Sequence, residues 1–224
     1  MIDIKQLAIG YKTKGKYNSV FTDMNINLQA GDLVGLMGNN GIGKSTLLKT
    51  ITGTLAPLAG DILINARSIS TYSAQQLAEI LSIVVTEKIG GFNLTVWDVV
   101  ASGRTPYINI FGKLTAHDEG IVNTSLEQLN IFALKHKLID ELSDGQRQKV
   151  MIAKSLAQQT PIIILDEPTA FLDHTSKHQL FSILKQLCSQ QNKLIIVSSH
   201  DLELMRSYIT RSVTMIEGNQ VELT

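Results

Sequence analysis

The nine residues Gly38-Asn39-Asn40-Gly41-Ile42-Gly43-Lys44-Ser45-Thr46 restrict this chain more than any other stretch. They follow the apolar run Leu33-Val34-Gly35-Leu36-Met37 and lead into Leu47-Leu48-Lys49. That order reads as strand, glycine-rich loop, helix, with the spacing G-x-x-x-x-G-K-[ST] from Gly38 to Ser45. Phosphate binding needs this composition. Gly41 and Gly43 permit positive φ, so backbone N–H groups can curl inward around oxyanions. The first turn of the following helix adds partial positive charge at the same place. Lys44 brings a full charge to the outer phosphates, and Ser45 a hydroxyl suited to Mg²⁺. The stretch therefore predicts a nucleotide phosphate cradle.

Length and composition limit what can surround it. A chain of 224 residues can bury a sizeable core, as one large domain or one domain with a subdomain. Twenty basic and twenty acidic residues cancel, so a nucleic-acid role lacks its usual electrostatic footprint. The single cysteine, Cys188, cannot form an internal disulfide, suits a reducing compartment, and reads as a small apolar filler. Met1-Ile2-Asp3-Ile4 alternates like a strand, so no signal peptide is expected. No run of about 18 apolar residues is present, so a membrane role has to be borrowed from a partner.

Along the chain, residues 1 to 30 alternate in the period-2 manner of half-buried antiparallel strands, with turns at 13–16 and 30–32. Tyr11 falls between the first two strands, where an aromatic packing on the sheet is the plain expectation. Lys44 to Thr54 should form the first helix, Asp61 to Asn65 a strand, Ser73 to Leu81 a helix and Ser82 to Val85 a buried strand. From about 88 to 158 the pattern is helical: Val96 to Ala101, His117 to Leu129 and Gln146 to Gln158, interrupted by a loop at 102–107. The sheet then resumes with Ile162 to Leu165, a helix at Thr175 to Ser189, the strand Leu194 to Val197, and a closing hairpin around Glu217-Gly218-Asn219-Gln220. The expected fold is α/β: a nucleotide-binding core (1–87 and 159–224) with a mainly parallel sheet and an N-terminal antiparallel β part, and an inserted helical subdomain at about 88–158. All of it belongs to one domain, 1–224.

Three further stretches carry chemistry. Asp166 and Glu167 follow the buried strand Ile162 to Leu165, at the strand end where open α/β sheets bind ligands. Asp166 can hold Mg²⁺ near the Ser45 hydroxyl, and Glu167 can orient or deprotonate an attacking water. Leu142-Ser143-Asp144-Gly145-Gln146 opens a helix, with Ser143 as N-cap and Gly145 allowing close backbone approach, so it offers a second anion-binding terminus. His200 ends the strand next in sequence, within reach of a γ-phosphate or its attacking water.

In order and spacing, Gly38 to Thr46, Leu142 to Gln146, Ile162 to Glu167, Phe171-Leu172-Asp173 and His200 resemble the ATP-binding-cassette ATPases over essentially the whole chain. The resemblance implies ATP with Mg²⁺, and a head-to-tail homodimer that holds two ATP molecules at its interface. In that dimer Gly38, Asn39, Asn40, Gly41, Ile42, Gly43, Lys44, Ser45, Thr46, Asp166, Glu167 and His200 of one copy face Leu142, Ser143, Asp144, Gly145 and Gln146 of the other. Asp173 would couple the two sites, and Tyr11 would stack on adenine. Within the family, Thr95 to Val100 followed by Gly103-Arg104-Thr105-Pro106 resembles the ATPase subunits of iron-siderophore, haem and cobalamin importers. Their implied partners are integral membrane permease subunits and, indirectly, a substrate-binding protein, with the chain on the cytoplasmic face of the membrane and no nucleic acid.

Two departures from the family pattern stand out. Asp144 replaces the usual glycine and puts a carboxylate near a phosphate-binding helix start. Thr86, followed by Glu87, stands where the family places a glutamine that touches the metal, so one of these two is expected to take over that contact. Other readings remain open on the sequence alone: an export or lipid-handling permease as partner, or a non-transport ATPase acting on ribosomes or DNA. A kinase-like phosphate-loop enzyme would leave Leu142 to Gln146 without a purpose.

Overall fold

Alternation in the first 30 residues builds a long hairpin of β1 (Ile2–Thr13) and β2 (Lys16–Leu28). The computed structural model describes residues 1–13, 15–85, 93–108 and 112–224. Thr86 and Glu87, the expected substitutes for glutamine, lie outside the described residues. So does the expected core-to-helical boundary near residue 88.

In β1 the buried set changes from Ile2 and Ile4 to Leu7 and Ile9. A bulge at Gln6, with φ 46°, shifts the register by one and keeps the apolar face inward. The two strands meet at Thr13 and Lys16, where the turn was expected, but Tyr11 lies within β1, paired with Asn18, not between strands. β4 (Ala59–Ile64) and the two-residue β5 (Arg67–Ser68) complete an antiparallel sheet in the order β2-β1-β4-β5.

The second sheet contains β3 (Leu33–Met37), β6 (Leu81–Val84), β7 (Ile162–Leu165), β8 (Leu194–Ser198), β9 (Arg211–Ile216) and β10 (Gln220–Leu223). Its order is β10-β9-β3-β8-β7-β6, parallel except for the terminal hairpin. The central strands β3, β7 and β8 are buried at every position, and apolar but for Gly35 and Ser198, because both faces are covered. Val34, Leu36, Ile162, Ile164, Leu194 and Ile196 pack toward the antiparallel sheet and α1 (Lys44–Ile51). Leu33, Met37, Ile163, Leu165, Ile195 and Val197 pack toward the helices on the other side. Each such side chain contributes about 1.5–3 kcal/mol by leaving water. α1 ends sooner than its sequence pattern suggested. Thr52 closes it, and Gly53 at φ 72° turns the chain away.

α2 (Ala74–Ile80) leads into β6. The helical part comprises α3 (Val96–Ala101), α4 (Ala116–Gln128) and α5 (Asp144–Ala157). Capping boxes at Thr95, Thr115 and Ser143 fix where the three begin. Residues 102–107, expected as a loop, instead form a 3₁₀ turn, Ser102–Tyr107. Arg104 holds it from inside: Nε donates to Asp118 Oδ1 at 2.9 Å and Nη1 to the Ala157 carbonyl at 2.9 Å, with both partners of the ion pair buried. The guanidinium also lies 4.1 Å from the centre of the Tyr107 ring. The Thr115 hydroxyl and backbone, with Arg104, pull the Asp118 carboxyl down to about 2. Trp97 sits on α3, partly buried against the core on that side of the sheet, and its backbone N–H donates to the Lys135 carbonyl. After β7 come α6 (His174–Gln191) and, after β8, the short α7 (Leu202–Arg206). Among the described residues no helix is long and apolar enough to cross a membrane.

Candidate functional site

The site is built at the C-terminal ends of three adjacent parallel strands. β3 delivers the loop at 38–43, β8 delivers Ser198 to His200, and β7 delivers Asp166 and Glu167. In an open parallel sheet this edge is where ligands are held.

The loop adopts the conformation its glycines allow. Gly41 has φ 78° and Gly43, at the mouth of α1, φ 116°. A Cβ on Gly43 would stand 2.6 Å from Val20 Cγ1, so space as well as dihedral angle reserves the position for glycine. Lys44 is buried, and its ammonium donates to the Gly38 carbonyl at 2.7 Å and the Asn39 carbonyl at 3.1 Å. The loop thus holds its own cation at the first turn of a helix, where anions are favoured. Ser45, the next residue of the helix, is exposed. Thr46 is turned inward and lies 3.1 Å from the Tyr11 hydroxyl. Tyr11 keeps 44 % of its surface accessible and stands beside the cradle.

Asp166 and Glu167 are organised by a residue that the sequence reading passed over. The buried Ser198 hydroxyl donates to Asp166 Oδ1 at 2.6 Å and accepts from the Glu167 N–H at 2.9 Å. The signal for it was a small hydroxyl closing a strand otherwise made of Leu, Ile and Val. A second hydroxyl pair, Thr169 and Ser199 at 3.1 Å, ties the same two strand ends together. Glu167 has φ 52°, a left-handed angle uncommon for a glutamate, which turns its carboxylate toward His200. The His200 N–H donates to Glu167 Oε2 at 3.2 Å, and His200 Nε2 comes within 3.1 Å of Oε1. Oε1 is buried and has no aligned donor, so one acceptor of this carboxylate is available for a bound proton donor such as water. Burial pushes the Glu167 carboxyl above its usual range, opposed by the fields of His200 and Lys44. β3 and β7 flank β8, so the loop and the two carboxylates leave the sheet at the same edge, on either side of Ser198 to His200.

Two oxygen donors that suit a hard divalent cation are present: the Asp166 carboxylate, with Oδ1 fixed by Ser198, and the exposed Ser45 side chain in the first turn of α1.

Leu142 to Gln146 occupy the start of α5. Ser143 accepts from the Gln146 N–H at 3.3 Å while Gln146 Oε1 accepts from the Ser143 N–H at 3.1 Å. The Asp144 carboxylate is drawn back along the helix to Arg147 at 2.6 Å, which answers its charge within the same turn. Gly145 packs against the Phe171 carbonyl so closely that a Cβ there would lie 2.8 Å from the oxygen. Asp173 caps α6, accepting from the Ser176 N–H at 2.8 Å and from its hydroxyl at 3.1 Å, and these bonds lower its carboxyl below the usual range. Within one chain the structure therefore joins Gly38 to Thr46 with Asp166, Glu167 and His200. Ser143 bonds to Gln146, Asp144 pairs with Arg147, and Gly145 approaches Phe171 and Leu172.

The sequence matches the model of a family described as "ABC transporter" over residues 21–170. An uncharacterized ABC transporter ATP-binding protein of Methanocaldococcus jannaschii is 41 % identical over 99 % of the chain and 74 % of that protein. The iron(3+)-hydroxamate import ATP-binding protein FhuC of Bacillus subtilis is 32 % identical over 99 % of the chain and 81 % of that protein. Among solved structures, a dimeric bacterial ABC transporter cassette superposes with a TM-score of 0.86 at 25 % identity, covering 99 % of this chain and 97 % of that one.

Proposed function

The chain belongs to the ABC transporter family of ATPases, and on that premise we propose that it is the ATP-hydrolysing subunit of an importer for an iron chelate, haem or cobalamin. The observation that carries the reading is the convergence of Lys44, Asp166, Glu167 and His200 on one sheet edge. The importer assignment draws support from the similarity to an iron(3+)-hydroxamate import protein and from the sequence at 95–106.

In this reading the α1 terminus and the loop amides cradle the β- and γ-phosphates, and Lys44 exchanges its loop carbonyls for phosphate oxygens. Ser45 and Asp166 would hold Mg²⁺, which supplies charge neutralisation at the bridging oxygens. Glu167 orients the attacking water through its buried oxygen, and His200 holds Glu167 in place while facing the γ-phosphate. Tyr11 provides an aromatic surface for the base. Two copies close head to tail, Ser143, Gly145 and Gln146 of one over the γ-phosphate of the other, with Asp173 at the seam. The similarity to a dimeric cassette supports this arrangement. Closure favours one state of the partner only because the closed and open pairs bind it differently. The partner is an integral permease, which places the chain on the cytoplasmic face of the membrane. We read the described residues and those between them as one domain, with the helical part facing the permease.

The test is isolation of the protein from native membranes, followed by identification of what accompanies it and assay of transport-coupled ATP hydrolysis. A polytopic subunit with an importer's binding protein supports the reading. Recovery with an exporter, ribosomes or DNA overturns it.

A further inference from the structure

The first turns of α6 carry a feature that the nucleotide site does not use. His174 and His178 stand four residues apart on one helix face, with their Nε2 atoms 3.3 Å from each other. Two imidazoles on one tetrahedral ion, with bonds of about 2.0–2.1 Å, place their nitrogens about 3.3 Å apart. The rings are tilted by 57°, with centroids 4.6 Å apart.

The second ring is held from behind. His178 Nδ1 lies 2.9 Å from the Tyr208 hydroxyl, and the Tyr208 ring stacks on buried Phe181 at 5.5 Å. A histidine whose far nitrogen is fixed by an outer partner has its tautomer and orientation set for metal binding. Among the described residues no third His, Cys, Asp or Glu joins the pair, and the nearby Asp201 oxygens are engaged by Lys177 at 3.1 Å and by the Leu204 N–H at 3.4 Å, so solvent is left to complete the coordination.

We propose that His174 and His178 form a binding site for a first-row divalent transition-metal ion of the zinc class, completed by water. Such an ion would clamp the first turn of α6, directly after Asp173. The site's other chemistry does not compete. The thiol of Cys188 is buried and pushed up to about 12, so it offers no thiolate.

The test uses the full chain, free of nucleotide, in buffer without phosphate or chelator. Zn²⁺ is titrated by equilibrium dialysis and Co²⁺ by visible absorption. The expected result is one tightly held ion per chain with the absorption of a four-coordinate cobalt centre. His174→Ala and His178→Ala should each weaken binding about a hundredfold and remove that absorption, Tyr208→Phe should weaken it about tenfold, and His136→Ala should leave it unchanged. His174 is exposed, so its variant should keep the melting temperature of the parent protein. Zn²⁺ affinity no better than millimolar, or undiminished binding in His174→Ala/His178→Ala, would show that the two rings merely share a proton, and the proposal fails.

Discussion

The Ser198 hydroxyl donates to Asp166 Oδ1 at 2.6 Å from the end of the strand beside it. Because the same hydroxyl accepts the Glu167 N–H, one small side chain sets the orientation of both acidic residues. Ser198→Ala should therefore reduce ATP hydrolysis by about ten- to a hundredfold, as loss of an outer partner does at metal-linked carboxylates. The stability cost should be about 1–3 kcal/mol for the polar groups left buried. Steady-state hydrolysis and denaturant melts measure the two effects, and unchanged turnover would remove Ser198 from the site.

Glu167→Gln keeps the shape and removes the charge. Turnover should fall by about a hundredfold or more while ATP binding persists. Since burial raises the folded pKa of Glu167, the ionised form costs stability at neutral pH, and that cost disappears as pH falls through the folded pKa and below the unfolded value of 4.5. The variant should thus match or exceed the wild-type melting temperature at pH 7, with the difference vanishing in acid.

Asp118 behaves in the opposite sense. Its folded pKa of about 2 lies below the unfolded 3.8, so its contribution is complete above pH 4 and is lost as pH falls through about 2. Asp118→Asn should destabilise the fold by about 3 kcal/mol, mostly because Arg104 stays buried without its partner. Equilibrium unfolding from pH 7 to 2 should show the wild type converging on the variant.

Gly43→Ala places a side chain at φ 116° and against Val20. It should cost about 1–3 kcal/mol and displace the loop amides, weakening nucleotide binding. Calorimetric titration with a non-hydrolysable ATP analogue tests this; affinity equal to wild type would mean that the loop tolerates the methyl group.

Cys188 should resist alkylation. With the thiol pushed up to about 12, only about one molecule in ten thousand carries thiolate at pH 8, and the sulfur is buried. Labelling with iodoacetamide should track global unfolding and stay silent in the native protein.

The elements most legible in the sequence were those whose signal is local. The loop at 38–46 declared itself because its glycines answer a dihedral requirement, and the buried strands because Ile162 to Leu165 and Leu194 to Val197 are apolar without interruption. Ser143 was readable as a cap because a capping box needs only residues three apart. What stayed hidden depends on neighbours distant in sequence. Ser198 matters because β7 lies beside β8, and nothing within Ser198-Ser199-His200 reveals that pairing. The 3₁₀ turn at 102–107 is held by Arg104 against Asp118 and Ala157, fourteen and fifty-three residues away. Asp144, an apparent misfit near a phosphate-binding helix start, is answered by Arg147 one turn on.

Trp97 gives this protein an optical channel of its own. It is the single tryptophan of the sequence, and it lies on α3, partly buried against the cluster that the helices share with one face of the sheet. Its emission therefore reports on the surroundings of α3, while tyrosine signals and circular dichroism average over the whole chain. Opening of the helices by themselves would appear as a red shift that precedes the loss of sheet signal, so local and global melting can be separated without attaching a dye.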